Sequence, residues 1–347
     1  MATAKPITII GGGLAGLTLG IALRQSRVPV TIHEAGQYPR HRVCGEFISG
    51  RGQTTLARLG LLELIYDSGA VRATTTAFFS ATRSTSPRLL PSPAICLSRF
   101  KLDAALANRF RELGGELLAG RRAAVEAIGE GTVRATGRRA EVASDGARWF
   151  GLKIHAHDVT LAADLEMHVS PRDYVGLCKI NAAEVNVCGL FRKRADGDGE
   201  TRDGRELLCG PPGSPLRERL AAAKFDEDSF CAVAGLSLRP QQAAARSEIC
   251  VGDAITMIPP VTGNGMSMAF ESAEVAAGPL AAWSRDEISW SVARQSIARK
   301  CDAAFARRLA WAQRLQHLIL TPALQNPLVA LAGHSDWFWR LAFERTR

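Results

Sequence analysis

The chain of 347 residues has no stretch of the apolar length that a membrane-spanning helix needs. It also has no basic segment followed by a sufficient apolar run at its start, so nothing marks it for secretion. Its eight cysteines include no Cys-x-x-Cys pair, and no His/Cys spacing suggests a metal site. Scattered through expected strands and helices, they suit reduced thiols in a cytoplasm better than a disulfide framework. There is no internal repeat and no low-complexity tract. The net charge is +9, yet the arginines form no long basic run with interleaved aromatics, which argues against nucleic acid as partner. Such a charge suits an anionic cofactor or an acidic membrane surface. A 46% hydrophobic content is enough for a large core in two or three structural regions.

Two glycine-rich segments lie far apart. Ile7-Thr8-Ile9-Ile10 reads as a strand that runs into Gly11-Gly12-Gly13-Leu14-Ala15-Gly16, after which Leu14, Leu17, Ile21 and Ala22 recur at helical spacing. Gly11 permits a tight turn, Gly13 lets the backbone approach a pyrophosphate, and Gly16 allows close helix–strand packing. The helix N-terminus offers N–H groups and a positive dipole end to phosphates. A second strand, Val30 to Glu34, ends in an acid about 20 residues on, placed for an adenosine ribose and unfavourable to a 2′-phosphate. The second segment is Ile249-Cys250-Val251-Gly252-Asp253, followed by Gly263-Asn264-Gly265-Met266 at the start of an apolar helix. Its N-terminal dipole could stabilise an anionic reduced flavin, and Asp253 could bond ribityl hydroxyls. A simple NAD dehydrogenase needs no such distal element.

With these motifs the chain resembles the FAD-dependent monooxygenases of the para-hydroxybenzoate hydroxylase type, nearest to their geranylgeranyl reductase and halogenase branch. Arg42-Val43-Cys44-Gly45-Glu46 is similar to that branch's Cys-Gly-Glu segment near the flavin. Leu97 to Asp103 looks like the family's arginine-then-Leu-Asp helix start, in which Arg99 would approach FAD. Tyr174-Val175-Gly176-Leu177 resembles a sheet motif facing substrate. The family's Ala-Asp-Gly triplet appears as Ala135-Thr136-Gly137, and the halogenase tryptophan motif is not evident.

The resemblance implies an α/β chain with a Rossmann-like FAD-binding domain, an inserted mostly antiparallel β-sheet substrate domain and a C-terminal helical region. Residues 1–72, 94–139 and 247–283 are expected to form the first, 73–93 and 140–246 the second, and 284–347 the third. Strands are expected at Phe78-Phe79, Gly151 to His157, Leu161 to His168, Tyr174 to Ile180 and Val185 to Phe191. Arg192 to Arg205 reads as a loop, and the C-terminal helices as interrupted near Pro322, Pro327 and Gly333.

The cofactor-binding candidates are Gly11, Gly13, Leu14, Ala15, Gly16, Glu34, Arg42, Cys44, Gly45, Arg99, Gly252, Asp253, Gly263, Asn264, Gly265 and Met266. Cys44 is also a catalytic candidate, able to relay a proton, or else a small buried hydrophobe. Arg42 and Glu46 could bind flavin or pair with each other at i, i+4. His155 and His157 share one side of a strand and, with Tyr174, could face substrate, or simply line a polar sheet face. Trp337, Phe338, Trp339 and Phe343 could pack on the domain or touch a membrane interface. The implied cofactors are FAD and, transiently, NAD(P)H. The implied activity is hydroxylation of a hydrophobic or aromatic small molecule through a flavin C4a-hydroperoxide. Reduction of a carbon–carbon double bond and non-enzymatic FAD binding remain as alternatives.

Overall fold

The computed structural model describes residues 4–123, 129–138, 148–171, 173–193 and 203–346. Its strands are β1 (Ile7–Ile10), β2 (Val30–Glu34), β3 (Phe47–Ile48), β4 (Val71–Phe79), β5 (Arg88–Cys96), β6 (Glu116–Ala119), β7 (Thr132–Arg134), β8 (Arg148–His157), β9 (Leu165–Val169), β10 (Tyr174–Lys179), β11 (Glu184–Lys193), β12 (Lys224–Leu236) and β13 (Ile249–Cys250). The helices are α1 (Leu14–Gln25), α2 (Arg51–Arg58), α3 (Leu62–Asp67), α4 (Arg99–Glu112), α5 (Gly204–Cys209), α6 (Pro215–Arg219), α7 (Gly265–Ser284), α8 (Trp290–Ile319), α9 (Pro322–His334) and α10 (Asp336–Arg345).

Five parallel strands form one sheet in the order β13-β7-β1-β2-β6. Ile7, Ile9 and Ile10 are all buried because helices cover both faces of a parallel sheet. α1 is buried on every side from Leu14 to Leu23, packed between the sheet, α4 and α7. Gly16 makes this possible: a Cβ there would stand 1.9 Å from the Gly11 carbonyl oxygen. A buried Arg308–Glu271 pair, with contacts of 2.7 and 2.5 Å, ties α8 to α7.

The second sheet has eight strands in the order β12-β8-β11-β10-β9-β4-β5-β3 and is antiparallel except where β4 meets β9. The polypeptide leaves the first sheet for the second twice, for β3–β5 and for β8–β12, and both glycine-rich segments border one cavity.

Several local expectations are corrected. Residues 42–46 form no helical turn, and Glu46 instead has φ +61°. Phe78 and Phe79 end the longer β4, and Leu161 precedes β9 rather than starting it. β12 had no expected counterpart, because Asp226, Glu227 and Asp228 hide its alternation. Pro322 does start a helix, at its first turn, but Pro327 and Gly333 lie inside α9. The α7 helix likewise continues through Pro279, its flank on α1 and α8 outweighing one lost backbone bond. Of the expected loop, residues 194–202 lie outside the described residues, as does Arg139. Among the described residues no helix is long and apolar enough to cross a membrane.

Candidate functional site

A cavity of about 1020 Å³ runs from the carboxyl ends of β1 and β2 to the face of the large sheet. At its first end lie Gly11, Gly13, Leu14, Ala15 and Glu34. Gly11 needs its φ of +110°, and a Cβ would meet the Ala135 carbonyl oxygen at 2.3 Å. Gly13 is different: a Cβ there meets nothing within 4 Å, so the backbone is bare toward the cavity. The first turn of α1 carries no acidic residue, which leaves its dipole end free for an anion.

Glu34 is buried and accepts hydrogen bonds from the Gly12 and Gly36 N–H groups, each at 2.8 Å, and from Arg40 at 2.7 Å. Burial alone would raise its pKa; the two N–H groups with Arg40 and Arg42 outweigh it and hold the carboxyl below its usual range. The Tyr38 hydroxyl donates to the Gly12 carbonyl, fixing the same turn from outside.

Arg42, Arg99 and Arg138 are among the arginines that line the cavity. Arg99 makes a two-pronged pair with fully buried Asp103, at 2.7 and 2.8 Å, and Arg42 reaches the same carboxylate at 3.1 Å. Arg42 therefore does not pair with Glu46. Its Nη2 makes no hydrogen bond but lies 3.6 Å from Glu34 Oε2, an ion pair. The Ser98 hydroxyl caps α4 by accepting from Phe100 N–H, which sets Arg99 at the helix start. Cys44, beside Arg99, and Gly45 also line the cavity. Burial pushes the Cys44 thiol up, so it stays protonated at neutral pH. Asp253, held at the end of β13, also lines the cavity, and burial raises its carboxyl pKa.

Gly263, Gly265 and Met266 line the next stretch. Gly263 has φ +61°, and the Phe47 ring lies so close that a Cβ would stand 1.9 Å from it. Asn264 is turned away from the cavity: its Nδ2 donates to the Thr346 carbonyl at 2.5 Å. Gly16 and Gly252 also stay out of the lining and serve packing, since a Cβ on Gly252 would come 2.7 Å from that of Ala15.

The far chamber is apolar. Phe78, Met167, Leu190, Leu236 and Val329 are among its walls. Tyr174 lines this chamber, 5% exposed, with its hydroxyl buried and lacking a hydrogen-bond partner. Phe338, Trp339 and Phe343 of α10 close one side, whereas Trp337 is 72% exposed. The C-terminal aromatics thus do not make one outward surface.

His155 and His157 do not line this cavity. His157 is exposed at the end of β8. His155 is buried behind the wall, with Nε2 on Glu46 at 2.7 Å and Nδ1 on Glu184 at 2.8 Å. Lys153, fully buried, lies 3.6 Å from Glu46 and 3.0 Å from His41 Nδ1. Sequence reading missed this cluster, because its members are scattered and the alternation of β8 pointed both histidines the same way. It also missed Arg138 and Phe47, for which spacing held no signal.

The cluster has a pH signature. Burial opposes charge on His155, but Glu184 and Glu46 outweigh it and raise the imidazole pKa above its ordinary 6.5. Its hydrogen bond to His155 draws Glu184 down to about 2 from 4.5. The imidazole's contribution is full below pH 6.5 and is lost as pH rises through the folded value. The carboxylate's is full above 4.5 and is lost as pH falls toward 2. The stability gap between the native protein and Glu184→Gln should therefore be widest between pH 4.5 and 6.5, read from urea unfolding across pH.

No family model matches the chain, and no curated protein matches it by sequence. Solved structures do match by shape. The flavin-dependent brominase Bmp2 has TM-score 0.78 at 16% identity, over 99% of this chain and 94% of that one. PqsL of P. aeruginosa in complex with 2-aminobenzoylacetate has TM-score 0.71 at 16% identity, over 92% and 98%. The tetrameric form of 2-methyl-3-hydroxypyridine-5-carboxylic acid oxygenase has TM-score 0.69 at 19% identity, over 100% and 97%. These likenesses establish the fold.

Proposed function

We propose that the protein is an FAD-dependent oxidoreductase, a monooxygenase that hydroxylates a hydrophobic or aromatic small molecule, with NAD(P)H as a transient reductant. One observation carries this reading. A single cavity joins a dinucleotide-type glycine turn to an apolar chamber, passing the segments of Cys44, Arg99, Asp253 and Gly263 on the way. The shared fold with flavin-dependent halogenases and oxygenases supports it.

The residues present fit FAD. The bare Gly13 backbone, the α1 dipole and the Arg42 guanidinium suit a diphosphate. Glu34 would accept from the adenosine ribose, and Asp253 from the ribityl chain. The backbone of Gly263 to Met266, at the α7 N-terminus, would border the ring and favour negative charge on it. When bound, FAD supplies the electron-transfer and oxygen chemistry; the chain binds, orients and excludes water. Tyr174 is the polar contact for substrate within an apolar chamber. Cys44 contributes as a protonated, packed thiol rather than as a thiolate.

Purified protein should be yellow and should lose flavin absorbance on Asp253→Ala. Oxygen should be consumed stoichiometrically with substrate. Product formed without oxygen by reduced protein would instead assign double-bond reduction, which the Cys44-Gly45-Glu46 segment favours as second reading. Halide incorporation would assign the chemistry for which the brominase is named. Tyr174→Phe should raise KM roughly tenfold, about one hydrogen bond. Unfolding stability should not fall, because the lost hydroxyl has no partner in the folded protein.

A further inference from the structure

We propose that Glu184, His155 and Glu46 form a proton relay linking solvent to the wall of the cavity. The proposal rests on the oxidoreductase reading. Hydroxylation consumes one proton per turnover: NAD(P)H, H⁺, O₂ and substrate C–H give NAD(P)⁺, substrate C–OH and H₂O. That proton needs a path from solvent to the reacting group, and the structure contains a chain of hydrogen-bonded contacts that leads from the surface to the cavity wall.

The outer end is Glu184, at the start of β11, whose side chain is 18% exposed; its other oxygen accepts from Asn181 at 2.8 Å. The middle is His155, paired in register with Asn186 of β11 and Asp226 of β12. Its ring contacts Glu184 at 2.8 Å through Nδ1 and Glu46 at 2.7 Å through Nε2. The inner end is Glu46, which forms part of the cavity wall beside Cys44 and Gly45. A proton on Glu184 passes to Nδ1, and the Nε2 proton passes to the Glu46 carboxylate. One proton has then moved inward, and the imidazole is left with its proton on Nδ1.

The backbone supports a purpose for this arrangement. Glu46 is a non-glycine residue at φ +61°, a strained conformation that persists only where surroundings impose it. That conformation is held from both sides: Glu46 Oε1 accepts from Arg99 N–H at 2.8 Å, and its carbonyl accepts from Leu97 N–H at 3.1 Å. Among the described residues the charged or titratable groups that face His155 are Glu46 before β3, Lys153 on its own strand, Glu184 on β11, Asp226 on β12, and His41 edge-on at 5.1 Å between ring centroids. Lys153 lies 3.6 Å from Glu46 Oε1 and offsets the charge of its buried carboxylate.

The test compares Glu184→Gln with Asp226→Asn, a control that removes a neighbouring carboxylate off the relay. In flavin-loaded protein, proton uptake on photoreduction is followed with an indicator dye in weak buffer. Glu184→Gln should slow it tenfold or more with flavin content unchanged, and Asp226→Asn should not. In flavin-free protein, imidazole NMR should show the His155 titration midpoint falling in Glu184→Gln alone. Equal uptake in native protein and Glu184→Gln, equal slowing in both variants, or an unmoved His155 midpoint would each overturn the relay while leaving the enzyme reading intact. Protein that binds no flavin overturns the enzyme reading, and the relay's purpose with it.

Discussion

Gly13→Ala should leave the fold standing and empty the cofactor site, whereas Gly16→Ala should damage the fold itself. The two glycines sit three residues apart in the same turn, yet their surroundings differ in kind. A methyl group on Gly13 enters open cavity and requires no unusual backbone, since φ is −82°. Its expected cost to stability is only that of a poorer helix cap, within about 1 kcal/mol. The same methyl stands where a pyrophosphate must approach the backbone, so the protein should purify colourless and take up FAD weakly or not at all. On Gly16 the methyl lies 1.9 Å from a backbone oxygen that cannot turn aside. α1 must lift from β1, with an expected loss of about 3 kcal/mol in urea unfolding. Equal flavin content in native protein and Gly13→Ala would sink the assignment of this turn to a dinucleotide.

The same contrast explains what the sequence could disclose. Local rules govern β1, the glycine turn and α1: an apolar strand, a helix-spaced apolar run and an acid at the end of β2 all point one way. The alternation of β8, β10 and β11 is equally local. What escaped depends on pairing across the fold. β12 carries exposed acids on an edge strand, so its pattern is diluted where solvent permits it. Glu46 looked like an i+4 partner for Arg42, but a left-handed turn carries it to β8, and Arg42 goes to Asp103 instead. His155 and His157 share a strand face, yet neighbouring strands bury one and leave the other at the sheet's end. Asn264 was legible as a helix start but not as the partner of a carbonyl 82 residues away. Spacing along a chain reports direction and period; it carries no information about which distant side chain arrives opposite.

Asp103→Asn should be the most damaging single change in the site, and bound cofactor should partly repair it. Asp103 is fully buried and holds two guanidinium groups, Arg99 by two contacts and Arg42 by one. Arg99 is itself buried, and this carboxylate keeps it charged there despite the desolvation. Replacing the carboxylate with an amide keeps the shape but leaves two cations facing each other in low dielectric. Loss of one member of a buried ion pair costs about 3–5 kcal/mol. The diphosphate of FAD would bring negative charge to the same arginines, so the variant should gain more thermal stability from added FAD than the native protein does. Thermal unfolding with and without excess FAD reads both effects. A variant destabilised equally in the two conditions would mean that Arg42 and Arg99 serve the α4 helix start alone, and would remove them from the cofactor site.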